Sequence, residues 1–188
     1  EKIVKLNGFD NIVHVIHGAL EEVELPEKVD VIICDFFGSC LLFDSMFSSL
    51  IIARDRFLKP DGCVFPSEAN LYMTGIEDAD YRNQKIGYWN NVYGFKYSAM
   101  QKVALVEPLI ETCPTDGILA KEVVLKKFDM KTITLEDISF TAPFELHPDV
   151  NNILHAFVFW FDVIFKGTGK PIKFTTSPYY NETCYYQT

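Results

Sequence analysis

The stretch VDVIICDFFGSCLLFDSM, residues 29–46, decides how the first third of the chain reads. Residues 29–34 form an apolar, β-branched run that suits a buried parallel strand. The run ends in Asp35, and a loop containing Gly38 follows. Asp44 then stands as the N-cap of a helix whose apolar positions Met46, Phe47, Leu50, Ile51, Phe57 and Leu58 keep helical spacing. Two carboxylates, Asp35 and Asp44, thus share one loop at the C-terminal end of a parallel strand. Ligands bind at that rim in open α/β sheets. Paired carboxylates there can hold a planar cation such as a guanidinium through charge-assisted, bidentate hydrogen bonds.

Working outward, residues 12–16 read as a second buried strand, and Leu20-Glu21-Glu22-Val23-Glu24-Leu25-Pro26 as a polar connection with a proline stop. Lys59-Pro60-Asp61-Gly62 is turn chemistry that ends the helix, and residues 63–65 make a short strand before Pro66. After Pro66 the character changes. Residues 71–74, 103–106, 123–128, 133–135 and 155–165 read as strands separated by Pro, Gly, Asp and Asn turns. Residues 78–91, with Tyr81, Ile86, Tyr88 and Trp89, read as a helix carrying aromatics onto a docking surface. Gly167-Thr168-Gly169 is the only G-x-G in the chain. No helix pattern follows it, so it reads as a turn and not as a phosphate loop.

A hydrophobic share of 48% over 188 residues supports a packed core and argues against disorder. No apolar run is long enough for a membrane span, and no signal peptide is expected at the N-terminus. A net charge of −9 disfavours direct nucleic-acid binding, which needs Lys and Arg against phosphates, and suits basic, arginine-rich partners. The five cysteines include no C-x-x-C pair, which speaks against disulfides and a zinc site and for a reducing compartment, cytosol or nucleus. The opening Glu1-Lys2-Ile3, in place of a methionine, suggests a piece of a longer protein.

The 35–46 loop resembles the double-E loop of protein arginine N-methyltransferases, S-E-W-M-G-x-x-L-x-x-E-S-M, with aspartate at both glutamate positions. Ala53-Arg54-Asp55-Arg56-Phe57-Leu58-Lys59-Pro60-Asp61-Gly62 is similar to the family's YARDKxLxPxG, and Val64-Phe65-Pro66 to its IFP junction, which carries a cis peptide. Ile76-Glu77-Asp78 through Tyr81 resembles IEDxxY, Asn91-Val92-Tyr93-Gly94-Phe95 is NVYGF unchanged, and Glu107-Pro108-Leu109 is EPL. Phe140-Thr141-Ala142-Pro143-Phe144 is similar to FTSPF. Thr183-Cys184-Tyr185-Tyr186-Gln187-Thr188 stands where the family has T-H-W-K-Q-T. Each match alone is weak, but their order along the whole chain makes the resemblance, type I-like, specific.

The resemblance implies an α/β + β fold. Residues 1–66 would be the C-terminal half of a Rossmann-like, S-adenosylmethionine-binding domain. Residues 67–188 would be a β-barrel with an inserted helical dimerisation arm near 78–102. It also implies roles for single residues. Asp35 and Asp44 take the places of the two glutamates that hold the substrate guanidinium, and Cys184 that of a histidine shaping the substrate pocket. Tyr185 stands where a tryptophan packs. Glu21 matches the acidic residue that meets the adenine amino group, Leu20 packs beside it, and Ser45 and Met46 line the same S-adenosylmethionine pocket. The glycine-rich loop of that pocket has no counterpart in residues 1–188, so weak or absent cofactor binding and little activity are expected of this chain alone. No cationic neighbour is evident to make Cys184 a nucleophile.

Two functions are open on this reading. One is methyl transfer from S-adenosylmethionine to arginine in proteins such as histones or RNA-binding proteins. The other is a catalytically degenerate paralogue that serves an active relative as dimerisation or regulatory partner. Homodimer and heterodimer formation through the arm fit both.

Overall fold

The computed structural model describes residues 1–188. After a short helix α1 (Lys2–Leu6), strand β1 (Val29–Ile33) pairs in parallel with β2 (Leu58–Phe65), and α2 (Phe47–Phe57) lies between them in sequence and packs on both. Val29 faces Leu58 and Val31 faces Cys63, so Lys59-Pro60-Asp61-Gly62 bulges out between two ladder pairs. Its turn chemistry shapes a strand irregularity, since the helix has already ended at Phe57. The Phe65–Pro66 bond is cis.

Beyond Pro66 four antiparallel strands form one sheet in the order β4-β3-β5-β6: β3 (Glu68–Ile76), β4 (Val123–Asp129), β5 (Ala156–Phe165) and β6 (Ile172–Thr175). Leu71 faces Phe161 and Tyr72 faces Trp160 across the central pair. β5 and β6 form a hairpin, with Phe165 opposite Ile172 and the Gly167-Thr168-Gly169 turn at its end. The sheet is the barrel-like element the resemblance implies, although backbone pairing does not close it into a ring.

The arm leaves the end of β3. Asp78 caps α3 (Ala79–Lys85) by accepting the Tyr81 amide at 2.8 Å. A 3-10 turn over Gly87–Asn90, a tight bend at Val92–Phe95 and a short helix α4 (Gln101–Ala104) complete it. His155, just before β5, accepts the Asp78 amide on Nδ1 at 3.1 Å and so anchors the arm's root.

One core joins the two halves. Phe36, Leu41, Phe47 and Leu50, from the 35–46 loop and α2, pack with Leu71, Phe128, Phe161 and Val163 of the antiparallel sheet. Each buried phenylalanine contributes about 1.5–3 kcal/mol relative to exposure. Two arginines of α2 tie loops to this core. Arg54 donates to the carbonyls of Met130 and Ile133 at 3.2 and 2.7 Å. Arg56 donates to those of Leu20, Glu21 and Val23 at 2.7, 2.7 and 2.9 Å.

Several expected elements differ. Residues 12–16 form no strand and are exposed, because no neighbouring strand offers them backbone partners. β1 is only half buried, with Val31 and Ile33 bare, since α2 and β2 cover one side and one edge. Residues 103–106 turn helically: Leu105 N–H bonds the Gln101 carbonyl, and the Gln101 side chain reaches the Ile86 carbonyl at 3.0 Å, fixing the segment to the arm. Residues 133–135 are not a strand either. Asp129 accepts the Lys131 amide at 2.8 Å and Asp137 accepts Thr134 N–H at 3.0 Å, so aspartate side chains take the hydrogen bonds a ladder would need.

Candidate functional site

Asp35 lies two residues beyond the end of β1. Cys34 N–H still bonds the Phe65 carbonyl at 3.0 Å, so the carboxylate emerges where the parallel ladder ends. The loop then closes on itself. Met46 N–H donates to the Phe36 carbonyl at 2.7 Å, and Gly38 and Leu41 exchange backbone hydrogen bonds at 3.1 and 2.9 Å. Cys40, Leu41 and Asp44 all have positive φ (49°, 68° and 53°), a conformation that side-chain-bearing residues rarely adopt. The loop tolerates this because Leu41 and Phe36 are fully buried and hold it down. Gly38 is required for another reason: a Cβ there would run into the Phe43 carbonyl.

Asp44 is therefore not the helix cap. The cap position falls at Met46, with no side-chain cap bond, because the Met46–Phe36 contact sets the start of α2 two residues later. Both carboxylates are exposed. Asp35 has one side-chain partner: the Tyr185 hydroxyl lies 3.3 and 3.4 Å from its two oxygens. The Tyr185 ring is wedged edge-on against Phe37, Phe161 and Phe174. Cys184, next to it, is exposed. Burial pushes the Cys34 and Cys40 thiols up, with the Asp35 charge adding to the effect on Cys34, so both stay protonated and inert.

The four residues implied for the cofactor fall into two patches. Leu20 and Glu21 are held through their carbonyls by Arg56, at the C-terminal end of α2, while Ser45 and Met46 precede its first turn. Residues 46 and 56 are separated by about 15 Å along a helix rising 1.5 Å per residue. Glu21 and Met46 are exposed, Leu20 and Ser45 half-buried. Two exposed and two half-buried, they do not by themselves enclose a small molecule. No cluster of three or more His, Cys, Asp and Glu side chains gathers to hold a metal, and no helix is long and apolar enough to cross a membrane.

A cleft of about 480 Å³ opens on the antiparallel sheet between Tyr72, Trp160, Asp162, Lys173 and Tyr179. Its buried carboxylate is already paired, Lys173 Nζ standing 3.1 Å from Asp162 Oδ2. Burial and the Asp162 charge push the Tyr72 phenol up to about 12. The arm offers a surface of a different kind. Tyr93 is 92% exposed, Phe95 69% and Val106 80%, with Tyr88, Tyr97, Val103 and Leu105 also exposed beside them.

Sequence reasoning missed the clamps made by Arg54 and Arg56 and the contact of Tyr185 with Asp35. The arginines carried a motif signal without a stated role, and nothing local links positions 150 residues apart.

Residues 67–188 match the family model of the arginine methyltransferase oligomerization subdomain. Over its full length the chain is 42% identical to protein arginine N-methyltransferase 1 of Schizosaccharomyces pombe, covering 55% of that protein. It therefore spans about half the length of the curated relatives it matches. Among solved structures it superposes with a TM-score of 0.94 and 35% identity on a chain of the Trypanosoma brucei PRMT1 enzyme–prozyme heterotetrameric complex with AdoHcy, covering 99% of this chain and 59% of that one. With Arabidopsis thaliana protein arginine methyltransferase 10 the TM-score is 0.78 at 30% identity, over 98% of this chain and 61% of that one. The chain belongs to the protein arginine N-methyltransferase family.

Proposed function

We propose that this chain is part of a catalytically degenerate arginine methyltransferase paralogue that acts as the oligomerisation and regulatory partner of an active one. Association rests on the arm, a run of exposed aromatic and aliphatic side chains from Tyr88 through Val106 that the chain itself does not cover; the choice of degenerate partner over active enzyme rests on Asp35, Asp44 and Cys184. Apolar patches of this kind mark association surfaces. A matching relative solved within an enzyme–prozyme heterotetrameric complex supports association of this kind here.

The substrate side supports degeneracy. Asp35 and Asp44 take the places of guanidinium-holding glutamates, and each is shorter by one methylene, about 1.5 Å of reach. Reacting groups need to sit about 3–3.5 Å apart, and a misplacement of about 1 Å can cost roughly a hundredfold. Cys184, in the histidine's place, offers a neutral thiol where an imidazole would donate hydrogen bonds or carry charge. Leu20, Glu21, Ser45 and Met46 are what this chain contributes to a cofactor wall, which calls for other parts of the protein or of its partner to complete it. The arginine-containing substrates then belong to the assembly.

Restoring the substrate side tests this. In the full-length protein, Asp35→Glu, Asp44→Glu and Cys184→His combined should raise methyl transfer to an arginine-rich peptide by at least about tenfold, equivalent to about 1.4 kcal/mol of barrier. A wild-type protein already as fast as the restored variant would show that the aspartates work as they stand. The chain would then be part of an arginine methyltransferase active in its own right.

A further inference from the structure

Three observations meet at Tyr185. First, its backbone is locked: Thr183 Oγ1 accepts the Tyr185 amide at 3.1 Å and donates to the Tyr185 carbonyl at 2.7 Å. Second, its ring is fixed by edge-on contacts with Phe37 at 5.0 Å, Phe161 at 5.7 Å and Phe174 at 6.5 Å between centroids. Third, the hydroxyl so fixed lies nearly equidistant from both Asp35 oxygens, at 3.3 and 3.4 Å. A donor straddling both oxygens of a carboxylate takes the approach that a bidentate guanidinium needs. The distances are long for an O–H···O bond, whose usual range is about 2.5–3.0 Å. The phenol therefore stands over the carboxylate as a weak, uncharged occupant.

We infer that Tyr185 is an intramolecular stand-in for the arginine side chain, occupying the guanidinium seat on Asp35 and setting how strongly a substrate must compete to enter. The inference rests on the reading of Asp35 as that seat. Tyr185 is a specificity-determining residue on this view. A charged, planar, two-pronged donor displaces a single neutral hydroxyl; a lysine ammonium, with point-charge geometry, gains less from the exchange. Desolvation first, and then the Asp35 charge and hydrogen bond, push the Tyr185 phenol up from its ordinary value.

Tyr185→Phe keeps the ring packing and removes only the hydroxyl. The full-length protein carrying Tyr185→Phe should bind an arginine-rich peptide at least about fivefold more tightly than wild type, the scale of one modest hydrogen bond released. The same peptide with lysine for arginine should gain less. Unchanged or weaker arginine-peptide binding would overturn the inference. Should no version bind measurably, the phenol titration decides, followed by carbon NMR of labelled tyrosine with Tyr185→Phe assigning the signal. Asp35→Asn should move that titration to lower pH, and an unmoved titration refutes the contact. Neither readout involves turnover. A protein active alone yet freed by Tyr185→Phe would keep this inference and lose the partner role; a turnover-dead protein unaffected by Tyr185→Phe would do the reverse.

Discussion

Replacing Tyr93 and Phe95 with alanine together is expected to weaken association through the arm by about 4 kcal/mol, roughly a thousandfold in Kd, on the scale of two aromatic hot spots. The bend that carries them is already formed in the single chain. Val92 and Phe95 exchange backbone hydrogen bonds at 2.8 and 3.0 Å, Asn91 Oδ1 accepts the Gly94 amide at 2.8 Å, and Tyr93 and Gly94 take the positive φ the turn needs. A preformed loop loses little entropy on docking, so its side chains deliver most of their contact energy. Both rings are exposed, so the double variant should fold normally. Sedimentation measures the association and circular dichroism the fold. Undiminished association would place the interface elsewhere.

Phe161→Ala is expected to cost about 3–5 kcal/mol of folding stability, a large part of the about 5–15 kcal/mol a domain possesses. Phe161 is 1% exposed at the centre of β5, opposite Leu71, and its ring meets Phe37 at 5.4 Å and Tyr185 at 5.7 Å. It thus supports both the 35–46 loop and the residue over Asp35, and the cavity left behind would border the candidate site. Denaturant unfolding of the full-length variant measures the loss. A cost below about 1 kcal/mol would show that the loop and sheet do not share one core.

The sequence was most legible where local chemistry and burial agree. Residues 29–33, 71–74 and 156–165 are apolar and β-branched or aromatic, and they are strands. Asp78 precedes a helix and caps it. It was least legible where a partner decides. Residues 12–16 have the composition of a strand and no neighbour to pair with, while 103–106 were captured by the arm through Gln101. The strand Ile172–Thr175 was not anticipated: its residues Ile, Phe and Thr favour strands, but four residues are too short a run to stand out before the pairing to β5 is seen. At the site, the aspartates were visible as charged residues in a glycine-containing loop, but the positive φ of Asp44 comes from the buried anchors Phe36 and Leu41. In the arm, Tyr88 and Trp89 stood out as the aromatic pair, yet Trp89 is partly covered and the most exposed rings are Tyr93 and Phe95.

The partner role is tested most directly by titrating the full-length protein into an active arginine methyltransferase of the same organism and following methyl transfer to an arginine-rich peptide. Activity should rise by at least about tenfold, a barrier change of about 1.4 kcal/mol, and saturate at equimolar partner. The Tyr93→Ala, Phe95→Ala protein should leave it unchanged. No rise with the wild-type protein, or an equal rise with the arm variant, would contradict a partner that acts through this surface.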